Sequence, residues 1–396
     1  MKGTPKRKQA HQPSAAREPA RLIVAASEDN ADILYGSRFS APDPFLFLSQ
    51  NGRSTIMLSD LEVDRGREQA KVDEVLSFSE YARANKKDLG RDPAFPRVAA
   101  HFLKSRRVRR ALVPANFPLG LSRELLREGV TVAPPRQGPF WPQRVCKTPE
   151  EVRHLRRALE ITQAGMARGV EVLRQAKVAG GKKAAAGTEL TWSGSVLTSE
   201  RLRAEIESAI LHAGGTPANT IVAGGEQACD PHNRGSGPLR GGELIIIDIF
   251  PRDTASGYYG DLTRTFVKGR ATAAQRELWE TVQAGQRLAI AGTKAGADGK
   301  KLHESVKAFF TERGYLTEMR AGHHVGFFHG TGHGLGLEIH DEPRFQLTRS
   351  FQPGMVLTIE PGLYYPGLGG VRIEDVVAVT RTGCEPLSDF AQFLEV

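Results

Sequence analysis

With 40% apolar and 25% charged residues over 396 positions, the chain has the make-up of a folded soluble protein large enough for two or more domains. No apolar run approaches the ~20 residues that a membrane-spanning helix needs, so none is expected. The net charge of +9 is scattered and no aromatic-interleaved basic motif accompanies it, so no nucleic-acid partner is expected.

The first 20 residues, MKGTPKRKQAHQPSAAREPA, are basic and polar without the apolar centre of a secretory signal, and are expected to be a disordered tail. Residues 21–147 alternate strand-like and helix-like segments. LIVAA (22–26) predicts a strand and SEDNADILYGS a capped helix starting near Ser27. Asn51-Gly52 between two apolar runs predicts a hairpin. A charged helix over Glu62–Lys71, a strand over Val75–Phe78, a strand over Ala111–Pro114, a helix over Ser122–Glu128 and a strand over Val130–Ala133 follow. The densest basic cluster, Arg106 to Arg110, leads into one of these strands and is expected to be a solvated surface. This mixed α/β domain holds no cluster of catalytic residue types and is expected to be a scaffold or gate.

PPRQGPFWPQ (134–143) has the composition of an interdomain linker. Thr148-Pro149-Glu150-Glu151 then opens a helix with a capping box and proline in its first turn. Val152, Leu155, Leu159, Met166, Val170 and Leu173 continue it at helical spacing, a core-facing stripe. The Gly/Ala-rich stretch 178–196 is expected to be a mobile surface loop, and LTSERLRAEIESAILHAG a helix stopped by Gly214-Gly215. Three widely spaced cysteines, Cys146, Cys229 and Cys384, build neither a disulfide framework nor a zinc pairing, which suits a reducing cytoplasm.

Nearly every residue that suggests chemistry lies beyond position 220. ELIIIDIFPRDTASGYYGDLTRTF (243–266) predicts two antiparallel strands with a loose loop. Alternation places Ile246 and Asp248 on one face of the first strand, and Asp261, Thr263 and Thr265 together on the second. Four further clusters follow the same theme: CDPHNRGSGP with His232, FFHGTGHGLGLEIHDEPR with His329, His333 and His340, GMVLTIEPGLYY with Glu360 ending a strand, and GGVRIEDVVAV with Glu374 inside one. Glycines at 330, 332, 334 and 336 argue against a helix that would put His329 and His333 on one face. Singly, each ionisable group has a bland reading, such as a strand-end turn for Asp248 or a pair between Glu374 and Arg372. Together, two Asp, two Glu and several His in apolar strands need cations. Two divalent metals about 3.5–4 Å apart, bridged by carboxylates and activating a shared water to hydroxide, meet that need. An oxygen-rich set with one histidine favours Mn, Co, Fe or Zn over a thiolate-type site.

The set Asp248, Asp261, His333, Glu360, Glu374, with the words GYYGDLTRTF, GTGHGLGLEIHD, GMVLTIEPGLY and VRIED, resembles the pita-bread metallopeptidases: methionine aminopeptidase, aminopeptidase P and prolidase. The resemblance covers about residues 148–396, and 21–147 fit more loosely the small N-terminal domain of aminopeptidase P, prolidase and creatinase. The implied fold class is α/β (α+β), a C-terminal pita-bread, creatinase/aminopeptidase-like catalytic domain at 148–396 preceded by the smaller mixed α/β domain at 21–147.

By that resemblance Asp248 would chelate one metal, Asp261 and Glu374 would bridge both, and His333 and Glu360 would complete the other shell. Manganese is the first expectation for both ions, with Co, Zn or Fe as substitutes. Glu360 would act as general acid/base on a metal-bridging hydroxide, His232 and His340 would stabilise the oxyanion, and His329 would line the pocket. Arg344 would meet a substrate's free carboxylate, or else be a surface residue beside Asp341 and Glu342. Asp248 and Asp261 stand slightly farther apart than is usual for that family, with the extra residues in PRDTASG.

The implied activity is hydrolysis of the Xaa-Pro bond of dipeptides or peptide N-termini, by a cytoplasmic enzyme acting on small peptides with proline second. A homodimer is typical of relatives. The alternatives are a creatinase-like amidinohydrolase without metal, a non-catalytic pita-bread binding protein and, less in keeping with an N-terminal domain, a methionine aminopeptidase. The retained five-ligand set weighs against the first two. Dipeptidase and aminopeptidase both stay open.

Overall fold

Alternating apolar side chains build the first part of the chain as a sheet covered on both faces. The computed structural model describes residues 18–180 and 187–396; most of the expected tail and positions 181–186 of the expected loop lie outside them. The chain divides into two units, the first ending at Pro142 and the second beginning at Gln143. The first runs β1 (Arg21–Ala25), α1 (Ala31–Ser37), β2 (Phe45–Gln50), β3 (Arg53–Leu58), α2 (Val63–Gln69), β4 (Glu74–Ser77), α3 (Phe78–Ala84), α4 (Lys86–Leu89), α5 (Phe95–Ser105), β5 (Arg110–Leu112), α6 (Leu119–Arg127) and β6 (Thr131–Ala133). Its sheet has the order β4-β3-β2-β1-β5-β6, with β2 antiparallel to both neighbours and the other pairs parallel. Leu46, Leu48 and Met57 pack against Val98, Phe102 and Leu125, while Phe45, Phe47 and Ile56 pack on the other face against Ile33 and Val63.

Asn51 and Gly52 both adopt positive φ (53° and 74°), the geometry a two-residue hairpin turn requires. The first helix starts at Ala31 rather than near Ser27, because Asn30 supplies the cap to Ile33 N–H. Ser27 instead closes a loop by accepting from Ala41 N–H at 2.7 Å. The supposed linker is also partly core: Phe140 and Trp141 are buried in the first unit, and Trp141 Nε1 donates to the Asp32 carbonyl at 2.9 Å.

The second unit opens with α7 (Pro149–Gln175), whose Thr148–Glu151 capping box is formed in full. The stretch expected as a mobile loop is, where described, a small sheet of β7 (Lys177–Val178), β8 (Leu190–Trp192) and β9 (Ser195–Val196). Leu190 anchors it in the core and Trp192 donates to the Gln175 side chain at 3.0 Å, contacts no local periodicity announces. Next come α8 (Ser199–His212), β10 (Gly215–Thr216), β11 (Ile221–Gly224), β12 (Leu244–Ile249), β13 (Arg252–Asp253), β14 (Leu262–Val267), α9 (Ala273–Gly292) and α10 (Gly299–Glu312). The chain ends with β15 (Glu318–Arg320), β16 (His323–Val325), β17 (Val356–Ile359), β18 (Gly362–Tyr365), β19 (Gly369–Arg372), β20 (Asp375–Val379) and β21 (Cys384–Pro386).

Two helix pairs cover the strands. Ile206 and Ile210 of α8 and Leu173 of α7 meet Ile245, Ile247, Ile249 and Phe266, one face of the β11-β12-β14 sheet. Val282 of α9 and Phe310 of α10 meet Leu357, Ile359, Leu363 and Val377. Alternation therefore turns Ile246 and Asp248 away from α7 and α8, onto an inner face. Among the described residues, no helix is long and apolar enough to cross a membrane.

Candidate metal centre

The inner face of the β12–β14 pair is where the ionisable groups gather. Antiparallel register sets Ile246 opposite Thr265 and Asp248 opposite Thr263, with Asp261 just ahead of β14. The two threonines then stitch this pair to the β19–β20 junction. Thr263 Oγ1 donates to Glu374 Oε2 at 2.8 Å while its carbonyl accepts from Glu374 N–H at 3.1 Å. Thr265 Oγ1 donates to the Arg372 carbonyl at 2.9 Å and accepts from Arg372 N–H at 3.0 Å. Glu374 thus stands between two strands rather than inside one, because these bonds turn the backbone there.

His333 and Glu360 arrive from the opposite side, on a glycine-rich loop and at the end of β17. Thr358 holds both: its Oγ1 accepts from His333 N–H at 3.0 Å and donates to Glu360 Oε1 at 3.3 Å. His333 Nδ1 faces the Gly334 carbonyl at 3.0 Å, so a neutral ring donates there and leaves the Nε2 lone pair towards Glu360 (3.3 Å) and Asp261 (3.6 Å). The loop can lie this close only because residue 332 is glycine. A Cβ there would stand 1.9 Å from the Thr358 carbonyl oxygen. Gly332→Ala is expected to cost about 1–3 kcal/mol, measured by urea unfolding, by forcing the loop off β17.

The electrostatics of this cluster are unbalanced. Asp248, Asp261 and Glu374 are buried, and Glu360 is largely so. Burial, then repulsion from Glu374, Asp248 and Glu360, raises the Asp261 carboxyl well above its ordinary range. Burial and the neighbouring carboxylates raise Glu374 likewise, and burial brings Glu360 to about 7. Burial lowers His333. Asp248 Oδ1 and Glu374 Oε1 are buried without a hydrogen-bond partner. Ligand atoms of Asp261, His333 and Glu374 all lie within 4.8 Å of one another. Unpartnered carboxylate oxygens and one imidazole lone pair converging in this way fit divalent cations of intermediate hardness.

Sequence reasoning overlooked the cation already there. Arg372, treated above only as a partner for Glu374, places Nη2 2.7 Å from Asp248 Oδ2. Its Nη1 donates to the Tyr364 hydroxyl at 3.1 Å, and that hydroxyl faces His329 Nε2 at 2.8 Å. Burial pushes the Tyr364 phenol up to about 12 and the His329 imidazole down to about 3. Tyr364 is therefore the donor and neutral His329 the acceptor, while His329 Nδ1 donates to the Gly330 carbonyl at 2.8 Å. Both His329 nitrogens are committed, so this residue shapes the wall rather than grips a ligand.

These groups open into a cavity of about 520 Å³, whose lining includes Phe250, Phe328 and Ile339 beside the polar set. His232, His340 and Arg344 also line it. The His340 ring stands edge-on to His333, centroids 4.5 Å apart. Arg344 is exposed, and among the described residues its guanidinium has no carboxylate within ion-pair distance. Asp341, its supposed neighbour in a surface pair, is engaged by Arg144 and Lys147 instead.

Residues 153–381 match metallopeptidase family M24. The Xaa-Pro dipeptidase of Pyrococcus furiosus is 32% identical over 250 residues, covering 62% of this chain and 63% of that protein. The Xaa-Pro aminopeptidase of Escherichia coli is 34% identical over 271 residues, 62% of this chain and 56% of that one. The chain therefore matches less than two thirds of the length of these curated relatives. The solved prolidase from Pyrococcus furiosus superimposes with a TM-score of 0.74 at 25% identity, covering 94% of this chain and 97% of that one. An X-Pro aminopeptidase from Thermotoga maritima gives 0.76 at 22% identity, covering 95% and 97%, a likeness of fold.

Proposed function

Because the chain belongs to metallopeptidase family M24, we propose that it is a dinuclear metallo-exopeptidase cleaving the Xaa-Pro bond of dipeptides or peptide N-termini. The observation that carries the reading is the convergence of four carboxylates and His333 in the lining of one cavity, two of their oxygens buried and unpartnered.

In this reading Asp248, Asp261, His333, Glu360 and Glu374 hold two divalent ions, manganese first and Co, Zn or Fe as substitutes. Such ions, when bound, make a water nucleophilic near neutral pH and polarise the scissile carbonyl. Glu360 takes a proton from the attacking water and returns it to the departing proline nitrogen. His232 and His340, on the cavity lining, donate to the developing oxyanion. A proline nitrogen offers no N–H, so the pocket needs no acceptor at that point. Arg344, whose guanidinium forms no ion pair among the described residues although its backbone N–H donates to Glu342, pairs with the carboxylate of a dipeptide. The smaller N-terminal unit, which ends at Pro142 rather than at the expected boundary of 147, serves as scaffold or gate.

The test is hydrolysis of Ala-Pro and Ala-Pro-Ala by EDTA-stripped protein with and without Mn²⁺. Metal-dependent cleavage of the dipeptide alone assigns a dipeptidase, and Arg344→Ala is then expected to raise KM roughly tenfold or more. Release of Ala from the tripeptide assigns an aminopeptidase and returns Arg344 to the surface. Metal binding without cleavage of either peptide overturns the substrate, and failure to bind metal overturns the whole reading.

A further inference from the structure

A second group of buried charges lies outside the ligand set, behind the loop that carries His340. Arg144 and Lys147, at the start of the second unit, have side chains only 7% and 1% exposed, and Asp341 only 5%. Asp341 Oδ1 lies 3.1 Å from Arg144 Nη2, an ion pair, and accepts from Glu342 N–H at 2.8 Å, and Oδ2 faces Lys147 Nζ at 3.6 Å. Lys147 Nζ also donates to the carbonyls of Arg144 (2.7 Å) and Glu342 (3.2 Å). Arg144 Nη2 reaches Glu338 at 2.7 Å. Asp341 N–H in turn bonds the Gly334 carbonyl at 2.9 Å, one residue beyond His333. Gly336 leaves room for the carboxylate, since a Cβ there would stand 2.2 Å from Asp341 Oδ2.

The strip 338–342 is therefore held on both sides of residue 340. The His340 imidazole itself makes no hydrogen bond among the described residues, only its edge-on contact with His333. Buried charges of this kind add little stability compared with well-packed apolar side chains, so their use here calls for a role in geometry.

We propose that Arg144, Lys147 and Asp341 form a positioning clamp that fixes the direction of His340 towards the reacting carbonyl, acting on turnover rather than on metal loading. The proposal rests on the peptidase reading, because His340 has work to do only if an oxyanion develops beside it. Arg144 and Lys147 lie off the cavity lining, and Asp341, which borders it, has its carboxylate turned to those two cations, so each acts through His340.

The test is a double-mutant cycle in the full-length, Mn²⁺-loaded protein, on whichever of Ala-Pro and Ala-Pro-Ala it cleaves. Lys147→Met is expected to lower kcat roughly ten- to a hundredfold with little change in KM and unchanged metal content by mass spectrometry. Placed on His340→Ala, the same substitution should lower kcat less than about twofold, because the residue it serves is gone. A full additional loss on that background, or loss of metal in Lys147→Met, overturns the clamp and leaves the peptidase reading standing. An unchanged kcat in His340→Ala overturns the clamp together with the role given to His340. Where Lys147→Met does not fold, Asp341→Asn enters the same cycle with the same expectations.

Discussion

Glu374→Gln is expected to abolish binding of at least one metal equivalent, to lower kcat/KM on the order of a thousandfold or more, and yet to stabilise the metal-free protein. The amide keeps the shape of the side chain and can still accept from Thr263, which holds Oε2 at 2.8 Å. It removes the charge on an oxygen that is buried without a partner. In the metal-free protein burial and the other carboxylates oppose ionisation of Glu374, so the uncharged amide removes that cost wherever pH is high enough to strip the carboxyl of its proton. With metal present, the same substitution removes a ligand. Thermal melting should therefore rank the variant above the parent in EDTA and below it in Mn²⁺. The pH dependence follows from the raised carboxyls. Asp261, Glu360 and Glu374 hold protons more tightly folded than unfolded, so their contribution is full below about pH 4 and is lost as pH rises, for Glu360 through about 7. Metal-free protein should accordingly melt lower at pH 8 than at pH 5. Mn²⁺ at a fixed concentration should restore more at pH 8, where fewer protons compete for the ligands, and a concentration of a hundred times Kd stabilises by about 2.7 kcal/mol. A variant that loads two metals like the parent, or metal-free parent with a flat pH profile, would remove Glu374 from the centre.

What the sequence disclosed about this centre depended on distance along the chain. The hairpin faces were legible because period-2 alternation is local: Ile245, Ile247 and Ile249 go to the helices and Asp248 does not. The long helix was legible from its capping box and stripe. Helix α5 also carries a helical pattern, in Val98, Ala99, Phe102 and Leu103, but no capping side chain marks its start and it went unread. The stretch 178–196 looked aperiodic because its order comes from Leu190 and Trp192 meeting other elements. Phe140 and Trp141 were hidden among prolines and glycine, which describe a loop's backbone and say nothing of where its aromatic rings lodge. Within the site, carboxylates in apolar strands advertised themselves by being out of place. The groups that hold them did not: Thr358 and Arg144 are ordinary in composition, and Arg144 reaches its partner Asp341 across most of the second unit's sequence. Arg372 was visible as a buried-strand arginine, yet its partner lies 124 positions away, where no spacing rule reaches.

That distant pair carries the second large effect. Arg372 is 3% exposed and bonds Asp248, Tyr364 and the Pro231 carbonyl. It is the fixed cation in a pocket of four carboxylates, present whether or not metals are bound. Arg372→Met removes it while filling much of the space, and leaves Asp248 with neither charge nor donor opposite Oδ2. The expected loss is about 3–5 kcal/mol in urea unfolding of metal-free protein, the range for an abandoned buried charge. Arg372→Lys keeps the charge but not the fork, so one ammonium cannot serve Asp248 and Tyr364 at the two angles the guanidinium does, and an intermediate loss is expected. Asp248→Asn separates charge from packing. Combined with Arg372→Met it should recover most of the loss in the metal-free protein, because the stranded carboxylate is gone. It should recover none of the activity, because the amide that replaces the carboxylate offers a metal no charged ligand. Additive losses in the metal-free double variant would mean that Arg372 acts through its packing and the Tyr364–His329 relay, with Asp248 held in place by something other than its counter-charge.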